Sequence, residues 1–163
     1  MTAGEQHIVV NLARQELRLY AGDVCQARYL VSTSRYGPGE KMDSQCTPRG
    51  RHRIRALIGS GLAPGAVLVG RRPTGEVCTS ELLRQFPTRD WILTRVLWLC
   101  GCEPGRNRLG NVDSMQRFIY IHGTPDQEVM GVPQSHGCIR MRNTDVLELF
   151  DQVGIGTLVD IVS

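Results

Sequence analysis

No stretch of this chain approaches the roughly 18 consecutive apolar residues that a membrane-crossing helix requires. The opening MTAGEQHIVVNLARQ lacks a basic segment followed by an apolar core. An integral membrane segment is therefore not expected. The expected location is the cytoplasm, with the periplasm as the alternative if a leader has been removed. There is no internal repeat and no low-complexity tract, which excludes solenoid and disordered architectures. Basic residues outnumber acidic ones only by 19 to 16, and the arginines are scattered from Arg14 to Arg142, so a nucleic-acid partner is not expected. Six cysteines (25, 46, 78, 100, 102 and 138) are too few and too irregular for a disulfide scaffold and fit a reducing compartment. Cys25 and Cys100 lie in apolar runs and are expected to be small buried hydrophobes.

A length of 163 residues with 41% hydrophobic content suits one domain over residues 1–163 with a real core. From His7 to Ser34 apolar and polar residues alternate in short runs broken by AGD, which predicts two or three antiparallel strands. SRYGPGEKMDSQCTPRGRHRI is crowded with turn residues and reads as a long loop leading back into a strand, a kind of loop that is often functional. GAVLVGRRP and DWILTRVLWLCG read as strands, and TSELLRQFP as a short helical turn. The whole segment from Gly59 to Asp90 is a candidate lid or pocket wall. FIYIHGT is a strand that places His122 at its edge or on the loop beyond. The best helix is NTDVLELFDQV, with Asn143 as its expected cap, and GTLVDIVS closes the chain as a strand. The fold class is mostly β, a single sandwich-like or barrel-like domain with one or two helices.

Chemistry concentrates in QSHGCIRMRN. A cysteine becomes a nucleophile where its thiolate is populated and an acyl group has room beside it. Gly137 permits close backbone approach beside Cys138, Arg140 adds fixed positive charge, and the amides of Gly137 and Cys138 are candidate oxyanion donors. His122, arriving from a neighbouring strand end, is positioned to accept the thiol proton. Asp126 or a backbone carbonyl near Gly123 would orient the imidazole. Three other readings stand beside this one. A zinc site would use His122, His136 and Cys138 with Cys100 or Cys102, although CGC is not the usual paired spacing. A silent binding module would keep the groove without turnover, and a structural thiol would need no partner at all. His7 and His52 read as surface or internally satisfied histidines, Trp91 and Trp98 as core or pocket wall, and Arg71–Arg72 as a solvated turn with anionic-peptide binding as the alternative.

The run IHGTPDQEVMGVPQSHGCIRM resembles the signature of the L,D-transpeptidase catalytic domain family of the YkuD type: a histidine, then further on Ser135, His136, Gly137, Cys138, Ile139 and Arg140. The likeness extends over most of the chain. VVNLARQELRLYAGDVCQARYLVSTS is similar to the family's opening hairpin, CTPRGRHRI to its Thr-Pro-x-Gly turn and ILTRVLWLCG to the strand before the active site. The resemblance implies Cys138 as nucleophile, His122 as general base and acid, the Gly123 carbonyl orienting His122, and Gly137 in the oxyanion hole. Ser135, His136 and Arg140 would contact substrate, with no metal and no cofactor. It implies a peptidoglycan tetrapeptide or muropeptide as substrate, cleaved before its terminal D-alanine through a thioester. Water as acceptor would give L,D-carboxypeptidase activity, and an amine would give a cross-link.

Overall fold

A computed structural model describes residues 5–163; residues 1–4, within the expected domain, lie outside the described residues. In chain order the strands and helices are β1 (Gln6–Asn11), β2 (Glu16–Ala21), β3 (Val24–Ser32), β4 (Gly50–Ile58), β5 (Ala66–Val69), β6 (Arg72–Val77), α1 (Ser80–Gln85), β7 (Ile92–Gly101), β8 (Tyr120–Thr124), β9 (Ile139–Arg142), α2 (Asn143–Gln152) and β10 (Leu158–Val162). The strands run in the order β4-β10-β1-β2-β3-β9-β8-β7-β5-β6, and a further β4–β7 pairing closes the first eight into a barrel. The β5–β6 hairpin hangs outside that closure, held by the pairing of Val67 and Leu68 with Leu93 and Ile92.

Alternation explains the strands. Ile8 and Val10 on β1, Leu17 and Leu19 on β2, Val159 and Ile161 on β10, and Ile121 and Ile139 on β8 and β9 all point into one core. Removing each such side chain from water contributes roughly 1.5–3 kcal/mol. A strand that slipped by one residue would turn its entire apolar set outward, so this core fixes the register. Helix α2 adds Val146, Leu149 and Phe150 to the same core from helical spacing. Strands β8 and β9 run parallel. Parallel neighbours need a crossover of about a dozen residues or more, which residues 125–138 supply.

The expected barrel-like, mostly β architecture is found, with three adjustments. GAVLVGRRP is not one strand but two, reversed at Gly70–Arg71, where φ is +55° and +65°. Asn143 does not cap α2: the cap position is Arg142, with no side-chain bond, and the Asn143 amide is instead engaged by Thr94 and Asp126. Cys25 is exposed rather than buried, because its position on β3 faces solvent, while Cys100 is half-buried. His7 stacks on Tyr20 with ring centroids 5.1 Å apart. Trp91 is buried among Val67 and Leu93.

His52 is fully buried on β4, its Nδ1 3.0 Å from Gly50 O and its Nε2 2.8 Å from Ser114 Oγ. Since the carbonyl can only accept, Nδ1 carries the proton and the hydroxyl donates to Nε2. Burial pushes the His52 pKa down to about 4, partly offset by the Gly50 carbonyl. The unfolded chain binds this proton near pH 6.5 and the folded chain does not. The stability tied to neutral His52 is therefore complete above that pH and is lost as pH falls toward 4. Denaturant unfolding at pH 7 and pH 4.5 should show this loss, up to roughly 3 kcal/mol, and His52→Gln should have a correspondingly flatter pH dependence than the parent.

Candidate active site

The site grows from the β8–β9 pair. Ile121 lies opposite Ile139 and His122 opposite Arg140, with both isoleucines in the core. Alternation therefore sends Tyr120, His122, Cys138 and Arg140 to the other face. Along that face His122 lies two residues beyond the rung of Cys138, a rise of about 6.6 Å. The Cys138 thiol donates to Phe118 O at 3.3 Å and accepts from Tyr120 N–H at 3.4 Å. Phe118 adopts φ +57°, a costly conformation for an aromatic residue, which turns its carbonyl toward the thiol.

His122 is not at a strand edge but inside β8, 1% exposed. Its Nδ1–H donates to Gly123 O at 2.6 Å, which leaves the Nε2 lone pair free to accept a proton. Gly123 has no space for a side chain, since a Cβ would lie 2.6 Å from Leu93 O. Asp126, the other candidate orienting group, is turned away and accepts from Asn143 Nδ2 at 3.2 Å. Burial pushes the His122 pKa down, so the imidazole is neutral at neutral pH; the Gly123 carbonyl and Asp90 oppose the shift. Burial likewise pushes the Cys138 thiol up to about 12, with the Tyr120 amide, Arg140 and Arg117 opposing. The resting pair is thus a neutral thiol and a neutral imidazole.

The turn before the thiol is held by polar side chains. Ser135, expected at the substrate, is buried; its hydroxyl donates to Cys138 O at 2.6 Å and accepts from Gly137 N–H at 3.2 Å. That contact occupies the Gly137 amide expected in the oxyanion hole. Gly137 itself has φ +129°, and a Cβ there would sit 3.3 Å from Cys46 O. Thr47, fully buried, donates to Gly137 O at 2.9 Å and accepts from Ser34 N–H at 3.0 Å, strapping the 34–47 loop to the turn. Arg117 completes the strap, donating to Gly39 O, Glu40 O, Ser44 Oγ and, at 2.7 Å, Cys46 O. His136 is exposed at the turn's tip. Arg140 bonds Asp90 at 3.3 Å with its side chain only 11% exposed.

Sequence reasoning missed Arg117, Asp90 and Phe118, which carry no local motif. Thr47 had a signal, the Thr-Pro-x-Gly turn. Among the described residues, no group of three His, Cys, Asp or Glu side chains is disposed to hold a metal ion. Cys100 on β7 and Cys102 just beyond its end both lie beside Arg53 of β4.

The family profile of YkuD, the L,D-transpeptidase catalytic domain, matches residues 5–161. The chain belongs to this family. As an L,D-transpeptidase domain it is similar to the probable L,D-transpeptidase ErfK/SrfK of Salmonella typhimurium, 48% identical over 46 residues, 28% of this chain and 15% of that protein. It is also similar to the putative L,D-transpeptidase YqjB of Bacillus subtilis, 46% identical over 43 residues, 26% of this chain and 24% of that protein. Among solved structures it superposes on L,D-transpeptidase 3 from Mycobacterium tuberculosis with a TM-score of 0.61 at 14% identity, covering 98% of this chain and 61% of that one. For an L,D-transpeptidase from Mycobacterium smegmatis the TM-score is 0.57 at 16% identity, covering 98% and 59%. These structural likenesses carry the fold. No helix among the described residues is long and apolar enough to cross a membrane.

Thr47→Val should strand the Gly137 carbonyl and the Ser34 amide in a buried place, costing about 1–3 kcal/mol for each group left without a partner. Thr47→Ser should restore most of this. Denaturant midpoints of the two variants and the parent check the expectation, and slower Cys138 alkylation per thiolate should accompany the loss in Thr47→Val.

Proposed function

We propose that this L,D-transpeptidase domain is a cysteine acyltransferase acting on peptidoglycan tetrapeptide stems. The observation that carries the reading is the His122 ring: Nδ1 is tied to Gly123 O, and the free Nε2 lies on the same sheet face as the Cys138 thiol. In the reaction, Cys138 Sγ attacks the carbonyl of the diamino acid that precedes the terminal D-alanine, while its proton passes to His122 Nε2. The tetrahedral oxyanion is held by the Cys138 amide, since Ser135 occupies that of Gly137. Collapse breaks the C–N bond, and imidazolium returns the proton to the departing amine of D-alanine. The thioester is then resolved by water, yielding a tripeptide, or by an amine, yielding a cross-link. His122 deprotonates the acceptor, and Arg140, held by Asp90, keeps the face electropositive.

A neutral resting pair suits this chemistry. Neutral imidazole is the form that accepts a proton, and attack coupled to proton transfer avoids a desolvated free thiolate. The raised thiol also favours a second reading, a domain that grips stem peptides without turning them over. Incubation with a disaccharide tetrapeptide, with and without excess D-amino acid, followed by mass spectrometry separates the two. Release of D-alanine and a thioester mass on the protein, both lost in Cys138→Ala, is the expected result; tight binding with neither product would establish the silent module.

The pH dependence follows from the same geometry. Iodoacetamide inactivation of the free protein should keep rising from pH 7 to pH 10, because the thiol titrates well above that of an exposed cysteine. A thiolate–imidazolium pair would instead give a plateau near neutrality. The acid limb of turnover should fall at a lower pH than an exposed histidine would set, since burial holds the His122 pKa down.

A further inference from the structure

Arg71 stands at the second central position of the two-residue β5–β6 turn with φ +65°, a place where glycine or asparagine is the unstrained choice. Its side chain is not extended into solvent, as the sequence suggested, but half-buried and folded back over the barrel. The guanidinium carbon lies 4.7 Å from the Trp98 ring centre and 4.9 Å from that of Phe118. One terminal nitrogen donates to Tyr120 Oη at 2.9 Å. Phe118 and Tyr120 are the two residues whose backbone groups hold the Cys138 thiol. Tyr120 and Trp98 also share an apolar cluster with Cys138. A strained arginine is thus packed against two aromatic rings and bonded to Tyr120, beside the residues that hold the Cys138 thiol.

Three guanidiniums bear on this neighbourhood, and they differ in what they have left to give. Arg140 is paired with Asp90. Arg117 is spent on four loop acceptors. Among the described residues, Arg71 enters none of the seven ion pairs, and of its five N–H donors one is bonded to Tyr120. The two rings and Tyr120 hold the guanidinium in place while four of its five N–H donors have no partner among the described residues, so a planar two-oxygen acceptor meets donors already positioned.

Resting on the function proposed above, we propose that Arg71 is the specificity-determining residue that binds a carboxylate flanking the scissile bond of the stem peptide. Two carboxylates have this chemistry: the terminal one of the departing D-alanine and the side-chain one of the diamino acid. Bound in this way, the carboxylate places the scissile carbonyl over Cys138, and its charge is offset by a guanidinium with no anionic partner among the described residues and with N–H donors to spare.

The test compares the intact protein, Arg71→Gln and Arg71→Lys on three substrates: the free-acid tetrapeptide, the same peptide ending in D-alaninamide, and the peptide amidated on the diamino acid side chain. Arg71→Gln should lower kcat/KM on the free acid by roughly tenfold or more, with Arg71→Lys between the two. On the amide that removes the contacted carboxylate, Arg71→Gln and the intact protein should be nearly equal, which identifies the source. An equal loss on all three peptides would make Arg71 a brace for the hairpin, and no loss on any would remove it from recognition; either overturns the proposal. Binding of the same peptides to Cys138→Ala, with and without Arg71→Gln, gives a readout independent of turnover. If the parent releases no D-alanine but this binding pattern holds, the acyltransferase reading fails while the Arg71 contact stands. If the binding pattern is also absent, the contact fails too.

Discussion

The parallel pairing of β8 with β9 is the constraint on which the rest of the site depends. Ile121 and Ile139 are wholly buried, and their shared rung sets which residues of both strands face the opposite way. A one-residue slip of β8 would turn His122 into the apolar core and carry Ile121 out of it, a loss of roughly 1.5–3 kcal/mol for the isoleucine alone. The chemistry therefore borrows its geometry from the hydrophobic effect. The same pairing explains the stretch of chain between the histidine and the cysteine, since parallel strands cannot be joined by a tight turn.

A second layer fixes what the ladder leaves free. Cys138 stands one residue before β9, where backbone pairing no longer dictates conformation. Ser135, Thr47 and Arg117 take over through buried hydrogen bonds that span long sequence separations. Such groups are costly when unpaired, so each bond made commits the loop and the turn to one mutual arrangement. Unusual backbone gathers around the thiol: Phe118 and Arg71 hold positive φ at a cost, and Gly137 holds a positive φ that glycine alone adopts freely. The barrel supplies the rigidity that keeps these conformations populated.

Electrostatics at the site is governed by exclusion of water more than by charge. Burial raises the thiol and lowers the imidazole, so the resting pair is neutral, and the arginines only moderate this. Arg140 and Arg117 each have their own acceptors within the protein. Arg71 lies against the Trp98 and Phe118 rings and bonds Tyr120, so the hairpin outside the barrel closure carries a cation with no ion-pair partner among the described residues to the two residues that hold the thiol.

By itself the sequence determined the mostly β class, nearly all the strands, the C-terminal helix and the short stretch around Cys138, because alternation, helical spacing and turn residues are local signals. The side-by-side placement of the His122 strand and the Cys138 segment was legible, and so was the Gly123 carbonyl as one of two ways to orient the ring. What only the tertiary structure decided is which way each polar group points. Asn143 left its cap for Thr94, Asp126 turned to Asn143, Ser135 closed on its own turn, and Arg71 folded from a surface turn onto Trp98. These outcomes depend on partners tens of residues away in the chain, and a buried polar atom takes whichever partner the closed barrel brings within reach.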